Sequence, residues 1–154
     1  MIYYLVGQPH AGKTTLSKLL KEYLYPKNVI QIDGDDIRDI FQNKDYSEEG
    51  RRKNIQRAQD IGMFLNAKGY EVIISLVSPY KDLRDELKEK SDVIEIYIHT
   101  TDIRGRENFH VENYEKPTDN YIDINTTGVS ELISIGELLN KINEYGNKYM
   151  TTIK

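Results

Sequence analysis

The amino-acid sequence predicts an α/β fold of three layers, a five-stranded parallel sheet with helices on both faces. Short β-rich runs alternate with helical patterns along the chain, which is how a parallel sheet wrapped by helices reads in sequence. The first run, Ile2-Tyr-Tyr-Leu-Val6, breaks directly into Gly7-Gln-Pro-His-Ala-Gly12-Lys13-Thr14, a complete G-x-x-x-x-G-K-T phosphate-binding loop. With 154 residues the chain can bury one core but not two comfortable ones, so a single domain over 1–154 is expected.

After that first strand and loop, Leu16, Leu19, Leu20, Tyr23 and Leu24 fall at i, i+3, i+4, i+7 and i+8, the stripe of a helix lying on a sheet. Val29 to Asp33 is the second strand, followed by a short helix. A longer helix begins near Ser47, where Ser-Glu-Glu-Gly offers an N-cap and an acidic first turn. Its inward positions are Ile55, Ala58, Ile61, Gly62 and Leu65, and Gly69 is placed to end it. The third strand, 71–77, is the most continuously apolar, which predicts a central position in the sheet. A helix from Tyr80 to about Glu89, a fourth strand over 93–98 and a weaker fifth over 121–124 follow. The last helix runs from Glu131 to about Glu144 with Leu132, Ile135, Leu139 and Ile142 inward; the polar segment 145–154 has no clear period and receives no element.

Composition narrows the partners. With 25 acidic against 21 basic residues the net charge is −4, so no broad basic face for tracking a nucleic-acid backbone is expected. There are no cysteines, which removes disulfides, thiolate metal sites and cysteine nucleophiles. The apolar N-terminal stretch ends at Val6, and no run reaches the ~18 residues of a membrane span, so a cytoplasmic protein without membrane contact is expected.

A strand that breaks into a glycine-bearing loop and then opens a helix aims consecutive backbone N–H groups at one anion. Gly7 and Gly12 give the backbone its freedom, Gln8, Pro9, His10, Ala11 and Thr15 complete the ATP-binding segment, Lys13 reaches the β- and γ-phosphates, and Thr14 supplies a hydroxyl to Mg²⁺. ATP and Mg²⁺ are thus the expected cofactors. In such sheets ligands gather at the carboxyl ends of the strands. After strand two comes Asp33-Gly34-Asp35-Asp36-Ile37-Arg38, with Asp33 placed to support the metal and Arg38 to face an anionic substrate. The same carboxylates also read as a solvated acidic turn. After strand three, Pro79 favours a fixed turn that aims Ser78 into the crevice, although Ser-Pro alone is a turn initiator. On the long helix Arg51 and Asn54 share a face and could meet a substrate or simply be solvated. His10, His99 and His110 lack metal-ligand spacing.

These segments resemble the adenylylsulfate (APS) kinases, whose fold is of the P-loop nucleoside-triphosphate hydrolase type. The family follows its phosphate loop with an Asp-Gly-Asp-Asn segment ending in Arg, and Asp33 to Arg38 is similar with Asp36 in place of Asn. Its aromatic-Ser-x-x-Asp-Arg-x-x-Asn stretch is echoed by Tyr46-Ser47-Glu48-Glu49-Gly50-Arg51-Arg52-Lys53-Asn54 with Gly50 in place of Asp, and its Ser-Pro-Tyr-Arg element by Ser78-Pro79-Tyr80-Lys81. The resemblance implies transfer of the ATP γ-phosphoryl group to the 3′-hydroxyl of adenosine 5′-phosphosulfate. It further implies that Asp35 orients or deprotonates that hydroxyl and that Asp33 holds the metal through water. Arg38, Arg51, Asn54 and Pro79 would contact the substrate, and Tyr46 would stack on its adenine. Ser78 matches a serine the family marks as a phosphoserine. A small-molecule acceptor is the expected partner, with a homodimer also open to the chain.

The family carries a basic lid after its fourth strand. Here the region of about 100–117 is short, leaving Arg104 and Arg106 as candidate cations over ATP and Phe109 as candidate second wall against the substrate adenine. Both arginines also read as surface charge. A reduced lid excludes water less well, which predicts weaker ATP binding or hydrolysis without acceptor. Two other readings stay open: a polynucleotide 5′-kinase or other small-molecule kinase, since Asp35-Asp36-Ile37-Arg38 fits an Asp-Asp-x-Arg segment, and a nucleotide-dependent switch with a protein partner.

Overall fold

The computed structural model describes residues 1–105 and 107–152. Strands β1 (Ile2–Val6), β2 (Val29–Asp33), β3 (Glu71–Leu76), β4 (Val93–His99) and β5 (Tyr121–Asn125) pair in parallel in the order β2-β3-β1-β4-β5. Helices α1 (Lys13–Leu24), α2 (Gly34–Phe41), α3 (Glu48–Ala67), α4 (Lys81–Lys90) and α5 (Glu131–Thr152) connect or follow them, with a 3₁₀ turn at Glu107–Phe109. Period-two alternation sorts the core into two layers. Ile2, Tyr4 and Val6 pack with Ile55, Ala58 and Leu83 of α3 and α4, whereas Tyr3 and Leu5 pack with Leu16, Leu20, Ile135 and Leu138 of α1 and α5. Among the described residues no helix is long and apolar enough to cross a membrane.

Three expectations are corrected. The centre of the sheet belongs to β1, flanked by β3 and β4, because Tyr3 and Tyr4 are both buried, one on each face. β3 is interior beside it. Tyr23 and Leu132 point outward, 54% and 76% exposed, and Leu138 fills the inward position on α5 instead. α5 also continues through 145–152, with Tyr145 packed at the edge of the core.

The strand order places the switch point at β1: β3 and β2 lie to one side and β4 and β5 to the other. A crevice opens there beyond the carboxyl ends of the strands, where ligands bind in open α/β sheets. Register aligns Val6 with Leu76 and with Tyr97, and Asp33 with Ser75, so the loops that leave these strands face one another.

Candidate active site

The phosphate loop leaves β1 at Gly7, whose φ of 150° and position against β4 leave no room for a side chain: a Cβ there would lie 2.1 Å from the Ile98 carbonyl oxygen. Lys13, the first residue of α1, is buried and donates to the carbonyl of Gln8 at 2.7 Å. Burial lowers its pKa from 10.5 to about 8, with the nearby Asp33 carboxylate pulling the other way. The ammonium is therefore held without full solvation, facing a loop that offers N–H groups to an anion.

Asp33 ends β2 and caps α2, accepting from the amide of Asp35 at 3.0 Å through Oδ1. Burial raises its pKa, and the like charges of Asp35 and Asp36 add to the effect. Asp33, Asp35 and Thr14 line the cleft, whereas Asp36 does not. A hydroxyl and a carboxylate with one oxygen uncommitted fit Mg²⁺, which takes one or two protein oxygens and keeps much of its water. Among the described residues no group of three or more histidine, aspartate or glutamate side chains is placed to hold a metal ion.

Opposite the phosphates, Arg38, Tyr46, Arg51 and Asn54 line the same cleft. Arg38 donates to the carbonyls of Asn43 and Asp45 at 3.1 and 3.0 Å and lies 4.0 Å from the Tyr46 ring centroid, so it supports that exposed ring. Gly50 departs from the family pattern for a physical reason: a Cβ there would lie 2.3 Å from the Asp45 carbonyl oxygen, and the Asn43–Ser47 loop folds over it. The Arg51 amide donates to the Ser47 carbonyl at 2.9 Å, while its guanidinium has no hydrogen bond or ion pair among the described residues. Asn54 is buried and donates to the Gly34 carbonyl at 3.2 Å, while its Oδ1 finds no partner. An orphaned buried acceptor is costly unless something supplies a donor.

Ser78 adopts a φ of 44° at the end of the turn after β3. Ser78 and Pro79 line the cleft, and the hydroxyl of Ser78, a residue 1% exposed, lies 2.6 Å from Tyr4 Oη. Ser78 thus reaches the crevice as expected, with its Oγ engaged by Tyr4 and Gln59 Nε2 behind it, 3.3 Å from Tyr4 Oη. The loop is fixed from below by Arg84, fully buried on α4, which donates to Glu95 at 2.7 Å, to the Ser78 carbonyl at 2.6 Å and to the Glu115 carbonyl.

Arg104 lines the cleft beside the phosphate loop, where its guanidinium donates to the carbonyls of His10, Ala11 and Thr126 and pairs with Asp102 at 3.1 Å. Arg106 lies outside the described residues. Phe109, 65% exposed, lines the cleft across from the phosphate loop, alongside His110 and Val111.

Lys13, Asp33, Asp35, Arg51, Asn54 and Phe109 share one cleft of about 1030 Å³. That is the upper end of ordinary ligand pockets and suits two ligands side by side. The model of the family described as adenylylsulphate kinase matches residues 1–133. The chain belongs to this family. Among curated relatives, a cytidine diphosphoramidate kinase from Campylobacter jejuni is 30% identical over 130 residues, 80% of this chain and 76% of its own. An adenylyl-sulfate kinase from Burkholderia ambifaria is 31% identical over 103 residues, 63% of this chain and 57% of its own, so this chain spans little more than half of that relative. The Mycobacterium tuberculosis APS kinase in complex with AMPPNP and APS has the same fold, with a TM-score of 0.74 at 17% identity over 92% of this chain and 96% of that one.

Within the adenylylsulphate kinase fold the cleft also takes in Thr126, Val129, Glu131 and Ser134 from the β5–α5 junction, which the sequence analysis passed over. Strand-end logic extended to Asn125-Thr126-Thr127-Gly128 finds them, since that turn leaves the last strand on the same side of the sheet.

Proposed function

We propose that the chain transfers the γ-phosphoryl group of ATP to the 3′-hydroxyl of adenosine 5′-phosphosulfate, giving the 3′-phosphorylated product and ADP. The observation that carries this reading is the single cleft lined both by the phosphate loop with Lys13 and by Arg51 and Asn54, the Arg51 guanidinium and Asn54 Oδ1 being without partners among the described residues. Backbone N–H groups of Gly12 to Thr15, at the start of α1, cradle the nucleotide phosphates, and Lys13 offsets the charge that builds as the bond to the γ-phosphorus changes hands. Thr14, and Asp33 through water, would hold Mg²⁺, which would supply positive charge to offset that of the nucleotide phosphates. Asp35 accepts the proton of the attacking hydroxyl. Arg51, with Arg38 beside it, meets the phosphosulfate; Asn54 Oδ1 accepts from a ribose hydroxyl or base amino group, and Tyr46 and Phe109 flank the base. Ser78 acts by shaping the loop rather than by touching the acceptor. A cytoplasmic setting goes with ATP as co-substrate.

The match to a cytidine diphosphoramidate kinase over 76% of that protein's length favours one second reading, a cytidine nucleotide with a substituted 5′-diphosphate as acceptor. Both acceptors are nucleoside 5′-phosphates that carry a further acid group, so the same Arg51 could serve either, and the base decides. Coupled ADP release from ATP and Mg²⁺ distinguishes them, with APS, cytidine diphosphoramidate, a 5′-hydroxyl oligonucleotide and no acceptor as parallel arms. Turnover with APS is expected, above a measurable rate without acceptor; turnover confined to the cytidine compound or the oligonucleotide would overturn the proposal. Asp35→Asn is expected to lower kcat by roughly 10²–10⁴-fold while leaving ATP binding in place, as removal of a general base does. Retention of full turnover would remove Asp35 from the mechanism.

A further inference from the structure

We propose that Gln8 is a positioning residue for the acceptor, tying the phosphate loop to the wall that carries Phe109. The inference rests on the reading of the cleft as a kinase site with ATP and acceptor side by side. Phosphate contacts in a loop of this type come from backbone N–H groups, which leaves the Gln8 side chain free for other work. Its carboxamide pairs with the backbone of Val111 at both ends: Nε2 donates to the Val111 carbonyl at 2.8 Å, and Oε1 accepts from the Val111 amide at 2.9 Å. Two hydrogen bonds from one planar group fix orientation as well as distance. The main chain of Gln8 meanwhile accepts from Lys13 Nζ at 2.7 Å. One residue thus holds the phosphate-binding lysine with its backbone and the acceptor wall with its side chain.

The wall needs such an anchor. Phe109 lies two residues before Val111, on a 3₁₀ turn that contributes no buried residue, so core packing does not place the ring. On the far side the segment is held to the loop after β3. Tyr114 Oη donates to the Val77 carbonyl at 2.5 Å, the Glu115 amide donates to the Pro79 carbonyl at 3.1 Å, and Arg84 donates to the Glu115 carbonyl. Residues 111–115 therefore span from one substrate loop to the other. Gln8 supplies the anchor at the ATP end, and the short segment between the fourth strand and Pro117 works as a fixed wall in place of a longer mobile lid.

The chain has no tryptophan, so Phe109→Trp installs a single fluorescent reporter on the wall. In that background Gln8→Met keeps the side chain's length and removes both hydrogen bonds. The expected result is a fall in the anisotropy of the introduced indole. In the otherwise native chain, Gln8→Met should raise the KM for APS on the order of tenfold, the loss expected for two neutral hydrogen bonds. The rise in acceptor KM should exceed any loss of affinity for a non-hydrolysable ATP analogue, measured without acceptor, by about fivefold or more. Unchanged anisotropy with unchanged acceptor KM overturns the proposal. An equal loss of affinity for ATP and acceptor overturns it as well, because the side chain would then merely support the fold of the phosphate loop. If the native chain transfers nothing to APS, the functional reading fails by itself and the anisotropy alone decides the anchor: a fall sustains it and no change rejects it.

Discussion

Lys13→Met is expected to lower phosphoryl transfer on the order of 10²–10³-fold and, at the same time, to raise the melting temperature of the unliganded protein. Both effects come from burial. Lys13 is 9% exposed, and without phosphates its ammonium faces desolvation that the carboxylate of Asp33 only partly offsets, which lowers its pKa from 10.5 to about 8. A shift of that size corresponds to about 3 kcal/mol of cost to the folded state at neutral pH. Between about pH 8 and pH 10.5 the unfolded chain still holds a proton that the native lysine has released, so stability rises with pH across that window. Below pH 8 both states are protonated and the cost is at its full value. The methionine variant lacks the cost at every pH. Its melting temperature should therefore exceed that of the native chain by several degrees at pH 7, at about 2–4 °C per kcal/mol, and the gap should close toward pH 10. The Gln8 carbonyl keeps the Ala11 amide as a donor, so no new orphan offsets the gain. Differential scanning calorimetry across pH, beside coupled ADP release, reads both halves. Equal melting temperatures at pH 7 would mean that the lysine is not desolvated; undiminished turnover would mean that this cleft is not where ATP reacts.

The same tension between function and stability explains which parts of the molecule were legible in sequence. The strands are announced by short β-rich apolar runs, because those inside the sheet bury both faces, and the helices by their period, because each buries one stripe. The phosphate loop is announced by its glycines, and Asp33, Asp35, Arg51 and Asn54 by their place at strand ends or on one helix face; the structure brings all four to one cleft. Order in the sheet was less legible, since hydrophobic continuity favours β3 as the centre, whereas the tyrosines of β1 are buried by packing that no period encodes. Long polar side chains were least legible. Arg104 reads as a surface cation or a lid residue, yet it spends its donors on three backbone carbonyls supplied by the phosphate loop and the β5 end. Gln8 reaches Val111 across 103 residues of sequence. Arg84, in the charged run Lys-Asp-Leu-Arg-Asp-Glu, has the pattern of solvated helix charge and is the largest fully buried side chain among the described residues.

That last case gives the largest expected effect on stability. Arg84→Met should destabilise the fold by about 3–5 kcal/mol, the usual consequence of removing one partner of a buried ion pair. The guanidinium is 0% exposed and the Glu95 side chain 2%, so water cannot take its place. Removing it leaves the carboxylate with Lys88, at 2.6 Å, as its one remaining cation and strips the Ser78 and Glu115 carbonyls of a donor. At about 2–4 °C per kcal/mol the melting temperature should fall by roughly 6–20 °C. Replacing both members, Arg84→Met with Glu95→Leu, should recover most of that loss, because the apolar pair removes the buried carboxylate and Lys88, 18% exposed, still has Asp85 at 3.8 Å as its partner. Activity should not recover with it. The two carbonyls that Arg84 holds belong to the turn after β3 and to the segment beyond Phe109, and with neither fixed the acceptor side of the cleft loses its shape while the phosphate loop keeps its own. The double variant should therefore bind ATP normally and show a raised KM for the acceptor. A single variant that loses less than about 1 kcal/mol would deny the pair its structural role. A double variant with native acceptor KM would show that Arg84 stabilises the fold without positioning the site.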